Sequence, residues 1–121
     1  MNPLNVVLYE NDAGTAQVLA ATLARHFPAV YMARSTDEIR SAIARHRAQV
    51  LVLDVENSRS GEVERLHQEF PGLSIVCTHR LADEERWAEA LNQGATDMCL
   101  PWNTDDVVRA VMHVRARRVA A

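Results

Sequence analysis

The run Val50-Leu51-Val52-Leu53-Asp54 constrains the fold of this chain more than any other stretch. Four consecutive β-favouring apolar residues leave no polar alternation for a water-facing side. The segment therefore predicts a central parallel strand covered by helices on both faces. Its last residue is a carboxylate, and such a strand delivers that residue to the carboxyl edge of the sheet, where open α/β folds bind their ligands. Asp54 is thus a candidate site residue, against the plainer role of turning or capping the chain as it leaves the strand. Gly61 closes the loop that follows.

The flanking sequence supplies a sheet for that strand. Val6-Val7-Leu8-Tyr9 predicts a first strand ending at Glu10-Asn11-Asp12. Asp12 can cap a helix whose apolar residues Leu19, Leu23 and Phe27 recur every four positions, and Pro28 stops it. Ala29–Ala33 is a weaker second strand. Ser35-Thr36-Asp37-Glu38 forms a capping box for a helix with Ile39 and Ile43 inward. After the central strand, Gln49 to Asp54, residues Val63, Leu66 and Phe70 mark a third helix halted by Pro71-Gly72. Leu73–Cys77 predicts a fourth strand ending at Thr78. Asp83 to Gln93 predicts a helix with Trp87 and Leu91 on its apolar side and Gly94 at its C-terminal stop. Thr96–Leu100 is a fifth strand. Beyond Pro101, Asn103 and Asp106 cap a last helix carrying Val107, Val108, Val111 and Val114.

Strand and helix alternate five times with short connections, which implies a parallel sheet with right-handed crossovers. At 121 residues the expected solution is one domain spanning 1–121: a doubly wound five-stranded parallel sheet, flavodoxin-like, with strand order 2-1-3-4-5. A formal charge of −3 gives no reason to expect a nucleic-acid surface. The Arg115, Arg117 and Arg118 cluster suits the C-terminal end of a helix dipole. No apolar run approaches membrane-spanning length, and Met1 is followed by Asn-Pro-Leu-Asn, unlike a secretory leader, so a cytoplasmic location is expected. Cys77 and Cys99 lack metal-ligand spacing and read as reduced, buried thiols.

In the expected order, three neighbouring strands end in Glu10-Asn11, Asp54 and Thr78. Carboxylates converging beside an aspartate favour a divalent cation, and oxygen-only ligands suit Mg²⁺. A hydroxyl on the adjoining strand can donate to an anion that such a metal holds. Helix capping competes for Asp12 and, taken singly, for Glu10.

Through this ordered set the chain resembles a response-regulator receiver domain, the phosphoacceptor module of two-component signalling, over essentially its whole length. Glu10-Asn11-Asp12, Asp54 and Thr78 carry the resemblance, joined by Gly94-Ala95-Thr96-Asp97 before the fifth strand and Pro101-Trp102 after it. The resemblance implies that Asp54 accepts a phosphoryl group from a histidine kinase or phosphotransfer protein. It implies Mg²⁺ held by Asp54, by Glu10 and Asn11 (one or both), by the backbone carbonyl of Glu56 and by water. Thr78 would bind a phosphoryl oxygen and draw its loop inward. Such a domain is not a classical enzyme; at most it catalyses its own phosphorylation and dephosphorylation.

The sequence departs from that family at defined positions. The lysine expected just before the proline after strand five is missing: Leu100 precedes Pro101, and the stretch from Met98 to Pro101 is one residue short. Asn11 stands where a metal-binding carboxylate is expected. The segment from Asp54 to Gly61 lacks the usual Met-Pro and is one residue short. Met98 replaces the switch aromatic. His79, where a small residue usually admits the phosphodonor, would narrow access or, if protonated, replace the lysine, although a loop histidine is more often simply solvated. Glu56 and Arg80 flank the site mouth and either pair across it or stand as separate surface charges.

Two function classes follow: a phosphorylatable receiver with weakened chemistry, or a phosphorylation-independent pseudo-receiver kept as a protein-interaction and dimerisation module. A flavodoxin-like cofactor binder is disfavoured, since no glycine-rich phosphate loop follows strand one. Either a stand-alone regulator or one domain of a longer protein is expected. Its interaction surface would be the face of helix 4, strand 5 and helix 5, suited to a homodimer, with no contact to nucleic acid or membrane. Trp87 and Trp102 lie in that half and are expected to be core or partly buried packing.

Overall fold

A computed structural model of the chain describes residues 4–81 and 83–120; the Met1-Asn2-Pro3 start, read above as unlike a leader, lies outside them. The elements run β1 (Asn5–Tyr9), α1 (Ala13–His26), β2 (Ala29–Ala33), α2 (Thr36–His46), β3 (Val50–Asp54), α3 (Glu62–Glu69), β4 (Ser74–Thr78), α4 (Glu84–Asn92), β5 (Asp97–Cys99) and α5 (Thr104–Ala120). A single 3₁₀ turn, Val55–Asn57, follows β3. All strand pairs are parallel, in the order β2-β1-β3-β4-β5. This is the doubly wound sheet that the alternation of elements predicts.

The central strand is buried at every position, and its side chains divide between two cores as a two-residue period requires. Val50 and Val52 join Val6, Leu8, Leu19, Leu23, Val107 and Val111 beneath α1 and α5. Leu51 and Leu53 join Val7, Ile39, Ile43, Leu66 and Ile75 beneath α2, α3 and α4. Unbroken hydrophobicity in β3 thus follows from having helices on both sides. No described helix is long and apolar enough to cross a membrane.

The punctuation residues act as their chemistry suggests. Asp12 caps α1 by accepting from the Thr15 N–H, at 2.9 Å. Ser35 accepts from the Glu38 N–H, while Glu38 reaches back to the Arg34 N–H at 2.7 Å. Gly94 ends α4 at φ +116°, a conformation that other residues resist.

Two packing expectations and one strand boundary are corrected. Leu91 is 48 % exposed, and Ala90 is the α4 residue buried against the sheet. A short side chain there lets the helix backbone lie close, with Trp87 half-buried at the margin. Trp102 is 62 % exposed, not packed. The Asn103 N–H donates to the Leu100 carbonyl, making a turn that buries Pro101 and leaves Trp102 outside. That same turn ends β5 at Cys99, before the expected Leu100.

The structure also contains an ion pair that local periodicity does not announce. Glu62, at the start of α3, is 1 % exposed, and its Oε1 lies 2.8 Å from Arg40 Nη2 on α2. Arg40 simultaneously engages Glu69. The guanidinium holds Glu62 below the usual carboxylate range, against the upward push of burial.

Candidate functional site at the carboxyl edge of the sheet

Parallel register brings the expected residues to one place. Tyr9 pairs with Leu53, so Glu10 leaves β1 beside Asp54, and Asp54 pairs directly with Thr78 on β4. Glu10, Asn11, Asp54, Glu56, Thr78, His79 and Arg80 all line one cavity of about 230 Å³, closed on one side by Pro101. Met98 does not line it; it is buried in the core beneath α2, α3 and α4.

Asp54 is 3 % exposed and fully engaged. Its Oδ1 accepts from the Glu56 N–H at 3.1 Å. Its Oδ2 accepts from the Asn11 N–H at 3.2 Å and from Asn57 Nδ2 at 2.8 Å. Asn11 therefore meets the aspartate through its backbone, while its side chain is exposed. Asn57 is a contact that the sequence did not disclose, because an asparagine three residues past a strand reads as turn chemistry. The Tyr9 hydroxyl ties the same segment down by donating to the Asn57 carbonyl at 3.2 Å.

Glu10 is the perturbed acid of the cavity. Burial pushes it up to about 7, and Asp54 adds to the rise by sharing a hydrogen bond and by its charge, against the opposing hydrogen bond from the Asp12 N–H. A divalent cation bound by Glu10 would take the place of the proton that Glu10 holds more tightly here. The available donors (the Glu10 and Asp54 carboxylates, the Asn11 amide oxygen and the Glu56 carbonyl) are hard oxygens that fit Mg²⁺. The set is poor in charge: among the described residues no three of His, Cys, Asp and Glu cluster as metal ligands.

Charge across the mouth is organised by Glu56 and Arg80, which pair. Glu56 Oε1 accepts from the Arg80 main-chain N–H at 2.7 Å and from its Nε at 3.1 Å, while Oε2 lies 3.2 Å from Nη2. The guanidinium draws Glu56 below the usual carboxylate range. His79 corrects the expectation of a solvated loop residue, being 5 % exposed. Its N–H donates to the Cys99 carbonyl at 3.1 Å, extending the sheet ladder one residue past β4 and holding it inside. Its Nδ1 lies 3.0 Å from the Leu81 nitrogen and 3.1 Å from the Leu81 oxygen.

No protein-family model and no curated protein matches the sequence. Solved structures do. The response regulator DrrB of Thermotoga maritima aligns at TM-score 0.83 with 16 % identity, over 97 % of this chain and 54 % of its own. NtrX of Brucella abortus aligns at 0.83 with 17 % identity, over 98 % of this chain and 28 % of its own. A CheY-like receiver domain protein of Methanospirillum hungatei JF-1 aligns at 0.84 with 17 % identity, over 99 % of this chain and 100 % of its own. The fold is that of a response-regulator receiver domain. The chain spans about half of DrrB and under a third of NtrX.

Within the receiver fold the missing lysine stands out further. The chain contains no lysine at all; its 13 basic residues are arginines. The cavity's only arginine is Arg80.

Proposed function

We propose that this chain is a signal receiver whose Asp54 accepts a phosphoryl group from a histidine kinase or phosphotransfer protein. The observation that carries this is a buried aspartate at the carboxyl edge of the central strand, its carboxylate oriented by three donors and flanked by Glu10 and Thr78. In the transfer, an Asp54 oxygen forms the new P–O bond while the donor's bond to phosphorus breaks. The electron pair leaves with the donor fragment, which takes up a proton. Phosphoryl transfer of this type needs alignment and positive charge more than covalent help.

The residues divide that work. The Glu56 and Asn11 N–H groups and the Asn57 amide fix the Asp54 carboxylate, a preorganisation that a solvated side chain would lack. Thr78 stands in register with Asp54 and supplies a hydroxyl for a phosphoryl oxygen. Mg²⁺, held by Asp54, Glu10, the Asn11 oxygen and the Glu56 carbonyl, would supply positive charge to the transferring group's oxygens. Asn11 in place of a carboxylate lowers the expected metal affinity, and Leu100 in place of lysine lowers the expected rate. A cytoplasmic location and a homodimer through α4, β5 and α5 complete the proposal.

The second reading is a pseudo-receiver that works through its surface alone. The packed methionine at position 98 and the donors already occupying both Asp54 oxygens favour it. Intact-mass spectrometry with a small acyl phosphate, with and without Mg²⁺, separates the two. A Mg²⁺-dependent gain of one phosphoryl group, absent in Asp54→Ala, supports the receiver. No gain under any condition leaves the interaction module.

A further inference from the structure

We propose that Arg80 binds the phosphoryl group on Asp54, serving as the cation that this lysine-free chain does not supply from strand five, with Glu56 holding its guanidinium at the mouth of the cavity. The inference rests on the receiver function proposed above. An aspartyl phosphate carries two negative charges where the Asp54 carboxylate carried one, in a cavity also lined by Glu10, Asp12 and Glu56. A metal held by Asp54 and Glu10 would offset part of that charge, and a second cation would offset more of it. Leu100, in the lysine's place, carries no charge.

Two basic side chains reach the cavity. His79 is poorly suited: it is buried, and its Nδ1 is committed to the Leu81 main chain. Arg80 is suited in position, charge and spare donors. Its Nε and Nη2 engage Glu56 side-on, and Nη1 has no hydrogen-bond partner among the described residues. Nη1 and the second hydrogen of Nη2 remain for phosphoryl oxygens, the planar fork that guanidinium offers to phosphates. The Glu56 bond to the Arg80 main-chain N–H, 2.7 Å, places the residue independently of its side chain. The side chain itself is 70 % exposed, so neutralising it leaves the core untouched and an exposed pair with Glu56 costs little to share.

The test compares wild type, Arg80→Gln and His79→Gln in beryllofluoride affinity, in acyl-phosphate labelling followed by intact mass, and in Mg²⁺ affinity. Arg80→Gln should weaken beryllofluoride binding and slow labelling by about tenfold or more, as loss of a charged donor to a phosphoryl group does. Its Mg²⁺ affinity should stay within about threefold and its melting temperature unchanged, because the pair it breaks is exposed. His79→Gln should keep beryllofluoride affinity near that of wild type. Unchanged beryllofluoride affinity in Arg80→Gln overturns the assignment, including the case where the adduct only hydrolyses faster, which would make Arg80 a water shield. Loss in His79→Gln with none in Arg80→Gln overturns it in favour of the histidine. A wild-type protein that takes neither phosphoryl nor beryllofluoride overturns the receiver function itself, and the role of Arg80 with it.

Discussion

Mg²⁺ affinity of this protein should depend on pH through Glu10, and the size of the effect follows from the cavity. Glu10 is pushed up to about 7 by burial and by Asp54 beside it. A cation that uses this carboxylate must displace the proton, so the apparent dissociation constant scales as 1 + 10^(7−pH). That factor is roughly 11 at pH 6 and roughly 1 at pH 8, so affinity should rise about tenfold between them. Without metal the linkage has a fixed sign. A carboxyl group raised on folding favours the folded state fully below its ordinary value of 4.5, and this contribution is lost as pH rises through about 7. The interval is worth at most about 3 kcal/mol, so Glu10→Gln should stabilise the metal-free protein at pH 8 and weaken Mg²⁺ binding. Isothermal titration calorimetry at pH 6, 7 and 8, paired with thermal melts in chelator, reads both effects. Affinity that is flat across this range, or a pH slope that survives in Glu10→Gln, refutes the placement of Glu10 as a metal ligand with a raised pKa.

Removing Arg40 should strand Glu62 in the interior: Arg40→Ala is expected to lose about 3 kcal/mol or more at pH 7, read as a lower urea midpoint. Because Glu62 is held below its ordinary 4.5, the pair's contribution is present above that value and lost as pH falls through the lowered one, so wild type and mutant should converge in acid. Burial pushes Cys77 up and Cys99 up to about 12, so neither thiol should react with an aromatic disulfide reagent at pH 8 until urea unfolds the protein. Prompt labelling of one native thiol would contradict their burial.

The sheet was legible because its signals are local and repeated. The strands are apolar runs bounded by polar or turn residues, and α1, α2, α4 and α5 carry side-chain caps at Asp12, Ser35, Asp83 and Asn103. The convergence of Glu10, Asp54 and Thr78 was legible too, since parallel topology fixes where strand ends meet. What escaped were properties set by contacts distant in sequence. Arg40 and Glu62 meet across two helices 22 residues apart, and no periodicity encodes that. His79 looked like a loop residue because the ladder bond to Cys99 that buries it comes from another strand. Leu91 misled through its size: hydrophobic spacing favours the larger residue, whereas close helix-on-sheet packing at that point admits Ala90. Asn57 was hidden because the same residue type serves turns and carboxylates alike.

The departures from the receiver pattern alter one physical quantity, the electrostatic balance around Asp54. Losing the lysine removes a positive charge, while asparagine at position 11 removes a negative one that would have bound metal. These changes oppose each other in the net charge around Asp54. In the proposed function they would add, because both would subtract from what holds a phosphoryl group: one directly, the other through the metal. Charges about 4 Å apart near a protein surface interact by about 4 kcal/mol, so no single hydrogen bond from a neutral group makes up the deficit. An exposed arginine paired with Glu56 brings a full positive charge to this edge. With Nε and Nη2 on Glu56, its Nη1 would remain for a phosphoryl oxygen in the proposed site. The Glu56–Arg80 pair would then set where the guanidinium stands. The acid two residues beyond Asp54 would govern phosphoryl affinity without touching the phosphoryl group.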